Sequence, residues 1–268
     1  MPPTELVVIG GGNMGEALLR GVIRAGLLPA AAVVVVEPVK ERREKLAKEL
    51  SIAAVEDIRR TPAARRYVLA VKPQQMESAA ASLREVMGES ALVISIAAGI
   101  STAYLAKALG SGARIIRAMP NTPMLVGAGC TCLCAGPGAT RDDLEFAQKL
   151  FAAGGLVRVV DEPAMDAVTA ISGSGPAYFF YLIEAMIEAG VAEGLSPDTA
   201  AVLAHQTCAG AAALLAQSDQ PASALRAKVT SPGGTTQAAI ETLDRANIRE
   251  ALIRAVRAAA ARSRQLGK

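Results

Sequence analysis

Two stretches of the chain join glycine and polar residues to a following helix in patterns that serve chemistry. The first is Gly10-Gly11-Gly12-Asn13-Met14-Gly15, set between the apolar run Leu6-Val7-Val8-Ile9 and the helix-forming Glu16-Ala17-Leu18-Leu19-Arg20. Glycines at the first, third and sixth places, between a strand and a helix, make a dinucleotide-binding turn. Gly10 permits the sharp exit from the strand, Gly12 lets the backbone approach a pyrophosphate, and Gly15 allows the helix to pack closely on the strand. The free N–H groups at the positive end of the helix then face the phosphates. The second stretch is Lys228-Val229-Thr230-Ser231-Pro232-Gly233-Gly234-Thr235-Thr236, which enters a helix expected from Gln237 to Leu243. It presents hydroxyls and bare backbone N–H groups at a helix N-terminus, which suits a small carboxylate; an ordinary helix cap by Thr235 or Thr236 would use the same residues.

A third candidate is Glu37, at the end of the strand Val33-Val34-Val35-Val36. A dinucleotide fold places there the carboxylate that accepts hydrogen bonds from the adenosine ribose. A 2′-phosphate beside it meets a repulsion of roughly 4 kcal/mol per charge pair at 4 Å and an effective dielectric of 20, unless cations offset it. Lys40, Arg42 and Arg43 follow at once and either supply that offset or form a solvated helix face.

The elements that position these residues alternate. After Val33–Val36 come a helix from Lys40 to Leu50, a weak strand from Ser51 to Val55, and a strand Tyr67–Val71 that stops at Lys72-Pro73. A helix over 74–87, a strand Leu92–Ile96, the turn Ala97-Ala98-Gly99 and a helix capped by Ser101 or Thr102 continue the pattern. Strands at Arg114–Met119, Gly129–Cys134 and Leu156–Val160 enclose a helix from Arg141 to Phe151. Alternation of this kind predicts a parallel, doubly wound sheet whose ligands lie at the carboxyl ends of the strands. Gly10 to Gly15, Glu37, Ala70 to Pro73 and Ala97 to Gly99 all fall there.

From about Asp161 the pattern becomes purely helical: Met165–Ile171, then Ser172-Gly173-Ser174-Gly175-Pro176, a long apolar helix from Ala177 to about Glu193, and another from Pro197 to about Gln217. Tyr178-Phe179-Phe180-Tyr181 holds half of the chain's aromatics and marks the first long helix as a central packing element. The expectation is therefore α/β: a dinucleotide-binding domain over 1–160, built on a doubly wound Rossmann-type sheet, and an all-α substrate-binding and dimerisation domain over 161–268. So much alanine lets helices approach closely, as an intertwined dimer requires.

Composition narrows the function classes. A formal charge of +3 over 268 residues, with Lys and Arg spread along the chain, leaves no nucleic-acid or polybasic membrane footprint. No signal-peptide pattern opens the sequence, and the uncharged run from Ala118 to Thr140 is broken by Pro120, Pro123 and Pro137, so a soluble, cytoplasmic protein is expected. Cys130, Cys132 and Cys134 alternate as one face of a strand would present them and, without a nearby His or fourth Cys, give no metal site. His205, the single histidine, sits among Ala, Leu and Gln in a helix and offers no catalytic context.

Across nearly its full length the chain resembles pyrroline-5-carboxylate reductases, in Gly10 to Gly15, Ala70-Val71-Lys72-Pro73, Ser95 to Gly99, Met119-Pro120-Asn121-Thr122-Pro123, Ile171 to Tyr178 and, with most specificity, Lys228 to Leu243. The resemblance implies reduction of a cyclic imino acid, 1-pyrroline-5-carboxylate, to proline by NADPH or NADH, in a homodimer assembled in many members into a decamer of five dimers. It implies that Gly10, Gly12, Asn13, Met14 and Gly15 hold the pyrophosphate, Glu37 the adenosine ribose, and Ala70, Val71, Lys72, Ala97, Ala98 and Gly99 the ribose and nicotinamide side. Thr230, Ser231, Gly233, Gly234, Thr235 and Thr236 would bind the substrate, with Glu162 nearby and Thr236 as the hydroxyl on the ring nitrogen. Members preferring NADPH usually carry Ser, Asn or Arg near Glu37, so the cofactor stays open between the two. A β-hydroxyacid dehydrogenase-like oxidoreductase would place a Lys soon after Gly173 to Pro176, where this chain has none until Lys228. A non-catalytic nicotinamide-dinucleotide sensor would have no need of the Ser231 to Thr236 turn.

Overall fold

The computed structural model describes residues 3–110 and 112–267. Strands β1 (Leu6–Ile9), β2 (Val33–Val36), β3 (Ala53–Val55), β4 (Arg66–Leu69), β5 (Leu92–Ser95), β6 (Arg114–Met119), β7 (Gly129–Ala135) and β8 (Gly155–Val159) form one sheet in the order β3-β2-β1-β4-β5-β6-β7-β8. The helices between them are α1 (Asn13–Arg24), α2 (Lys40–Leu50), α3 (Met76–Val86), α4 (Thr102–Leu109) and α5 (Arg141–Ala152). Both faces of the sheet are covered, so β1 and β2 read as unbroken apolar runs. Leu6, Val8, Val33, Val35 and Val68 join one core with Leu18, Leu46 and Phe151, whereas Val7, Ile9, Val34, Tyr67 and Leu69 join the other with Met76, Leu83 and Leu105.

The register brings the functional ends to one level. Ile9 pairs with Val36 on one side and Leu69 on the other, and Leu69 pairs with Ser95. The segments that follow, Gly10, Glu37, Ala70 and Ile96, therefore leave the sheet along one edge. One expectation fails: β7 runs antiparallel to β6, with Met119 opposite Cys132. A parallel return needs a crossover of about a dozen residues or more, and residues 120–128 hold only a short 3-10 helix, Thr122–Val126. The α5 crossover then makes β8 parallel to β7.

By its internal contacts the chain forms two compact units: residues up to Ser174 together with those from Ala258 onward, and Gly175–Arg257. Past β8, α6 (Met165–Val168) widens into a π-helical turn, Thr169–Gly173, a bend follows at Ser174, and the second unit begins with α7 (Gly175–Ala192), two residues before the expected start at Ala177. The second unit holds α7, α8 (Pro197–Gln217), α9 (Ala222–Lys228), α10 (Thr235–Arg245) and most of α11 (Ile248–Leu266). α7 and α8 approach closely where Gly190 meets Ala200: a Cβ at Gly190 would lie 3.2 Å from that of Ala200. In the single chain this unit buries little, and Phe179, Phe180, Tyr181, Leu182, Val202, Leu203 and Leu214 are exposed. Of the aromatic run, Phe179, Phe180 and Tyr181 are thus left largely uncovered in the single chain. α8 is long and apolar enough to cross a membrane by length and composition, on a chain whose apolar helical surface is spread over several other helices as well.

Candidate cofactor and substrate sites

The glycine turn is shaped by contacts that only glycine satisfies. Gly10 has φ +106°, and a Cβ there would fall 2.6 Å from the Ala70 carbonyl oxygen. A Cβ on Gly15 would strike the Gly10 carbonyl oxygen, so the first turn of α1 lies directly on the strand exit. Gly12 differs, because a Cβ there would meet nothing within 4 Å. Space is left open on that side, at the start of a helix whose cap residue, Gly12 itself, makes no side-chain hydrogen bond. An uncapped N-terminus beside open space fits a phosphate. Asn13 is exposed, while Met14 packs partly against the core and anchors the turn.

A cleft of about 500 Å³ opens here, lined among others by Gly10, Gly12, Glu37, Arg42, Ala70 and Lys72. Val71 also lines it, so the three expected sequence segments at β1, β2 and β4 converge on one cavity. Ala97, Ala98 and Gly99 are not in its lining. Gly99, with φ +79°, instead lies against the end of α11, where a Cβ would fall 2.6 Å from the Ser263 carbonyl oxygen and 2.7 Å from Leu266. Ser263 Oγ donates to Asp166 Oδ1 at 2.6 Å, which ties the last turns of α11 to α6.

Glu37 is only 3% exposed. Its Oε2 accepts from the Gly11 amide and its Oε1 from the Val39 amide, both at 2.9 Å, and Arg42 Nη1 stands 3.5 Å from Oε2. The carboxylate thus links the glycine turn to the turn after β2.

Glu162 follows β8 and sits at the N-terminus of α4. Its Oε1 accepts from Arg117 Nη1 at 2.7 Å and from the Thr102 amide at 3.3 Å, while Cys134 Sγ approaches Oε2 at 3.5 Å. Burial pushes the Glu162 carboxyl upward, but hydrogen bonds from Thr102 and Arg117 and the charge of Arg117 outweigh it and hold the group below the usual glutamate value. Burial, then the neighbouring Glu162 carboxylate, pushes the Cys134 thiol up to about 11, so it stays protonated. Arg117 is 95% buried, and its Nη2 faces Asp166 Oδ1 at 3.7 Å without a hydrogen-bond partner. The sequence reading passed over Arg117, although a cation inside the apolar strand Arg114–Met119 is a signal that a carboxylate must meet it.

In the second unit the Thr230–Thr236 turn is largely exposed. Thr230 Oγ1 donates to the Arg226 carbonyl at 2.7 Å, and the Gly234 amide donates to the Ser231 carbonyl at 3.0 Å. Gly234 is the cap residue of α10, and no side chain caps the helix. Thr235 and Thr236 are therefore its first helical residues rather than its cap. Gln237, also missed, braces the turn: its Oε1 accepts from the Gly233 amide at 2.7 Å and its Nε2 donates to Glu241 Oε1 at 2.7 Å. Gln at the third helical position is the sequence signal for such a backward reach. His205 is exposed on α8.

Residues 162–266 match the family model described as pyrroline-5-carboxylate reductase dimerisation, and residues 5–99 match that described as NADP oxidoreductase, coenzyme F420-dependent. The chain is 43% identical to the pyrroline-5-carboxylate reductase of Mycobacterium leprae over 98% of its own length and 96% of the relative's. It is similar to the solved structure of a pyrroline-5-carboxylate reductase from Coxiella burnetii, with TM-score 0.88, 38% identity and 99% of each chain covered. It is also similar to Plasmodium falciparum pyrroline carboxylate reductase with NADP bound, with TM-score 0.89, 31% identity and 100% of each chain covered.

Proposed function

The chain belongs to the pyrroline-5-carboxylate reductase family, and from that premise we propose how its residues divide the reduction of 1-pyrroline-5-carboxylate to L-proline by NAD(P)H. It is an NAD(P)H-dependent oxidoreductase acting on the CH–NH group, and its helical part makes it a homo-oligomer.

The observation that carries the cofactor assignment is the open side of Gly12 at the uncapped start of α1, beside a cleft that Glu37, Ala70, Val71 and Lys72 also line. The amides of Asn13, Met14 and Gly15 bind the pyrophosphate there. Ala97, Ala98 and Gly99, at the level of β5, serve the nicotinamide side. The nicotinamide supplies the hydride. A protonated imine is already an electrophile, so the protein's part is to bind, orient and exclude water.

Those tasks fall to the turn before α10. Thr230, Gly233 and Gly234 shape the turn, their donors being spent on Arg226, Gln237 and Ser231, and the hydroxyls of Ser231 and Thr235 with the first amides of α10 hold the substrate carboxylate at the positive helix end. Thr236 places its hydroxyl on the ring nitrogen and keeps the N–H proton of the product in place. Glu162 has Oε1 committed to Arg117 and Thr102, so a ligand would meet its Oε2 edge, which it shares with the Cys134 thiol. The homo-oligomer is a dimer through α7 and α8, five of which form a decamer in the cytoplasm. The exposed Phe179, Phe180 and Tyr181 support such an interface.

Steady-state oxidation of NADH and NADPH, with and without 1-pyrroline-5-carboxylate, tests the assignment. Imine-dependent turnover with proline as product is expected. Cofactor binding without imine-dependent oxidation would restore the sensor reading.

A further inference from the structure

Three cations follow Glu37, and the structure gives them different work. Arg43 Nη1 donates to the Glu37 and Pro38 carbonyl oxygens at 2.8 and 2.9 Å, so it is spent on the turn after β2. Lys40 is exposed, faces Glu44 at 3.9 Å and does not line the cleft. Arg42 does line it, half exposed, with its guanidinium 3.5 Å from Glu37. The two other carboxylates on the cleft wall have their own partners, Glu56 with Arg60 at 2.8 Å and Asp57 with Arg59 at 3.3 Å.

We infer that Arg42, and not Glu37, decides between NADPH and NADH: Arg42 takes the 2′-phosphate, while Glu37 is a positioning residue that holds the glycine turn for either cofactor. This rests on the proposal that the cleft is the cofactor site. Glu37 cannot turn to ribose hydroxyls without stripping the Gly11 and Val39 amides of their acceptors, and leaving a buried donor unpaired is costly. Its charge is also met by two backbone donors that stay in place wherever the Arg42 guanidinium goes. The Arg42 contact, by contrast, sits at the outer limit of hydrogen bonding, and the side chain reaches from the surface of α2. A phosphate offers that planar fork two short, charge-assisted bonds in place of one long one, so Arg42 transfers from Glu37 to the ligand when the ligand carries a 2′-phosphate.

Equilibrium titration of the full-length protein with NADPH and NADH, followed by nicotinamide fluorescence without imine present, reads this directly. Arg42→Ala is expected to raise the Kd for NADPH about tenfold more than the Kd for NADH, the size of one charge-assisted contact. Glu37→Gln turns an amide N–H against one of the two backbone donors and is expected to raise both constants by a similar factor. An unchanged NADPH-to-NADH ratio in Arg42→Ala, with binding retained, overturns the assignment. Tighter NADPH binding in Glu37→Gln also overturns it, because the carboxylate would then be repelling the phosphate itself. Failure of the unmodified protein to bind either cofactor overturns the cleft as the cofactor site, a different result from an unchanged ratio. Should Glu37→Gln fail to fold, the Arg42→Ala ratio decides alone, since Arg42 is half exposed and its loss empties no core.

Discussion

Arg117 Nη1 lies 2.7 Å from Glu162 Oε1, joining an almost wholly buried strand residue to the segment that leaves the sheet after β8. The pair also spans the start of α4, where the same oxygen accepts from the Thr102 amide. Removing the carboxylate charge would leave a buried guanidinium with only Asp166 at 3.7 Å.

Glu162→Gln is therefore expected to lower stability at pH 7 by about 1–2 kcal/mol, less than for a fully buried pair because Glu162 is partly exposed. The folded-state value of Glu162 is depressed below the ordinary 4.5. Its contribution is thus complete above that ordinary value and is lost as pH falls through the depressed one. Urea denaturation at fixed protein concentration, from pH 7 down to pH 4, should show the gap between the two proteins narrowing at the acid end. A gap independent of pH would count against the ion pair as its source.

The glycine turn offers a contrast between two substitutions of the same size. Gly12→Ala meets open space at φ −68°, so the fold is expected to keep its stability within about 1 kcal/mol while the Kd for dinucleotide rises at least about tenfold. Gly15→Ala drives a methyl into the Gly10 carbonyl and should cost more than about 2 kcal/mol with no ligand present. Thermal denaturation of both variants, with and without NADPH, separates the outcomes. Equal losses of stability would show that Gly12 is held by packing and not kept clear for a ligand.

The parts of this molecule legible in the sequence are those set by neighbours in the chain. The run Leu6–Ile9, the glycines after it and the helix beyond share one local logic, and residues 6 to 24 fold as that logic requires. The Glu37 carboxylate was placed at the right strand end, but its partner is Gly11, 26 residues away, and nothing local announces that bond. The same holds for Arg117, whose partner Glu162 is 45 residues on. The reversed strand β7 was missed because alternation of strand and helix was read across a connection too short to hold a crossover helix. The aromatic run Tyr178–Tyr181 marked α7 as a packing element, but a sequence does not separate an apolar face buried within a chain from one left for a second chain, and Phe179, Phe180 and Tyr181 are exposed in the single chain.

That exposed face yields a test of the assembly. Tyr181 is 77% exposed and Phe180 60% exposed on α7 of the single chain. Phe180→Asp and Tyr181→Asp would each set a charge in a desolvated interface and should weaken self-association by at least about 100-fold, roughly 3 kcal/mol. Sedimentation velocity over a dilution series is the measurement, with the smaller species expected to appear at concentrations where the unmodified protein stays assembled. An unaltered mass for both variants would place the interface on another face.

The turn before α10 separates chemistry from scaffolding through two adjacent residues. Thr236 stands in the first helical turn without capping it, so its hydroxyl is available to a ligand, whereas Gln237 spends its side chain on the Gly233 amide and on Glu241. If the Thr236 hydroxyl bonds the ring nitrogen as the hydride arrives, that bond strengthens in the transition state. Thr236→Ala should then lower kcat by about tenfold or more and leave the cofactor Kd unchanged. Gln237→Leu keeps every proposed ligand but frees the Gly233 amide and loosens the turn, so it should raise KM for the imine by a few fold, about 1 kcal/mol, with kcat largely kept. Steady-state kinetics with 1-pyrroline-5-carboxylate as the varied substrate reads both. If Thr236→Ala changed KM alone, the hydroxyl would belong to ground-state binding of the carboxylate, and the proton on the ring nitrogen would have to be held by another group.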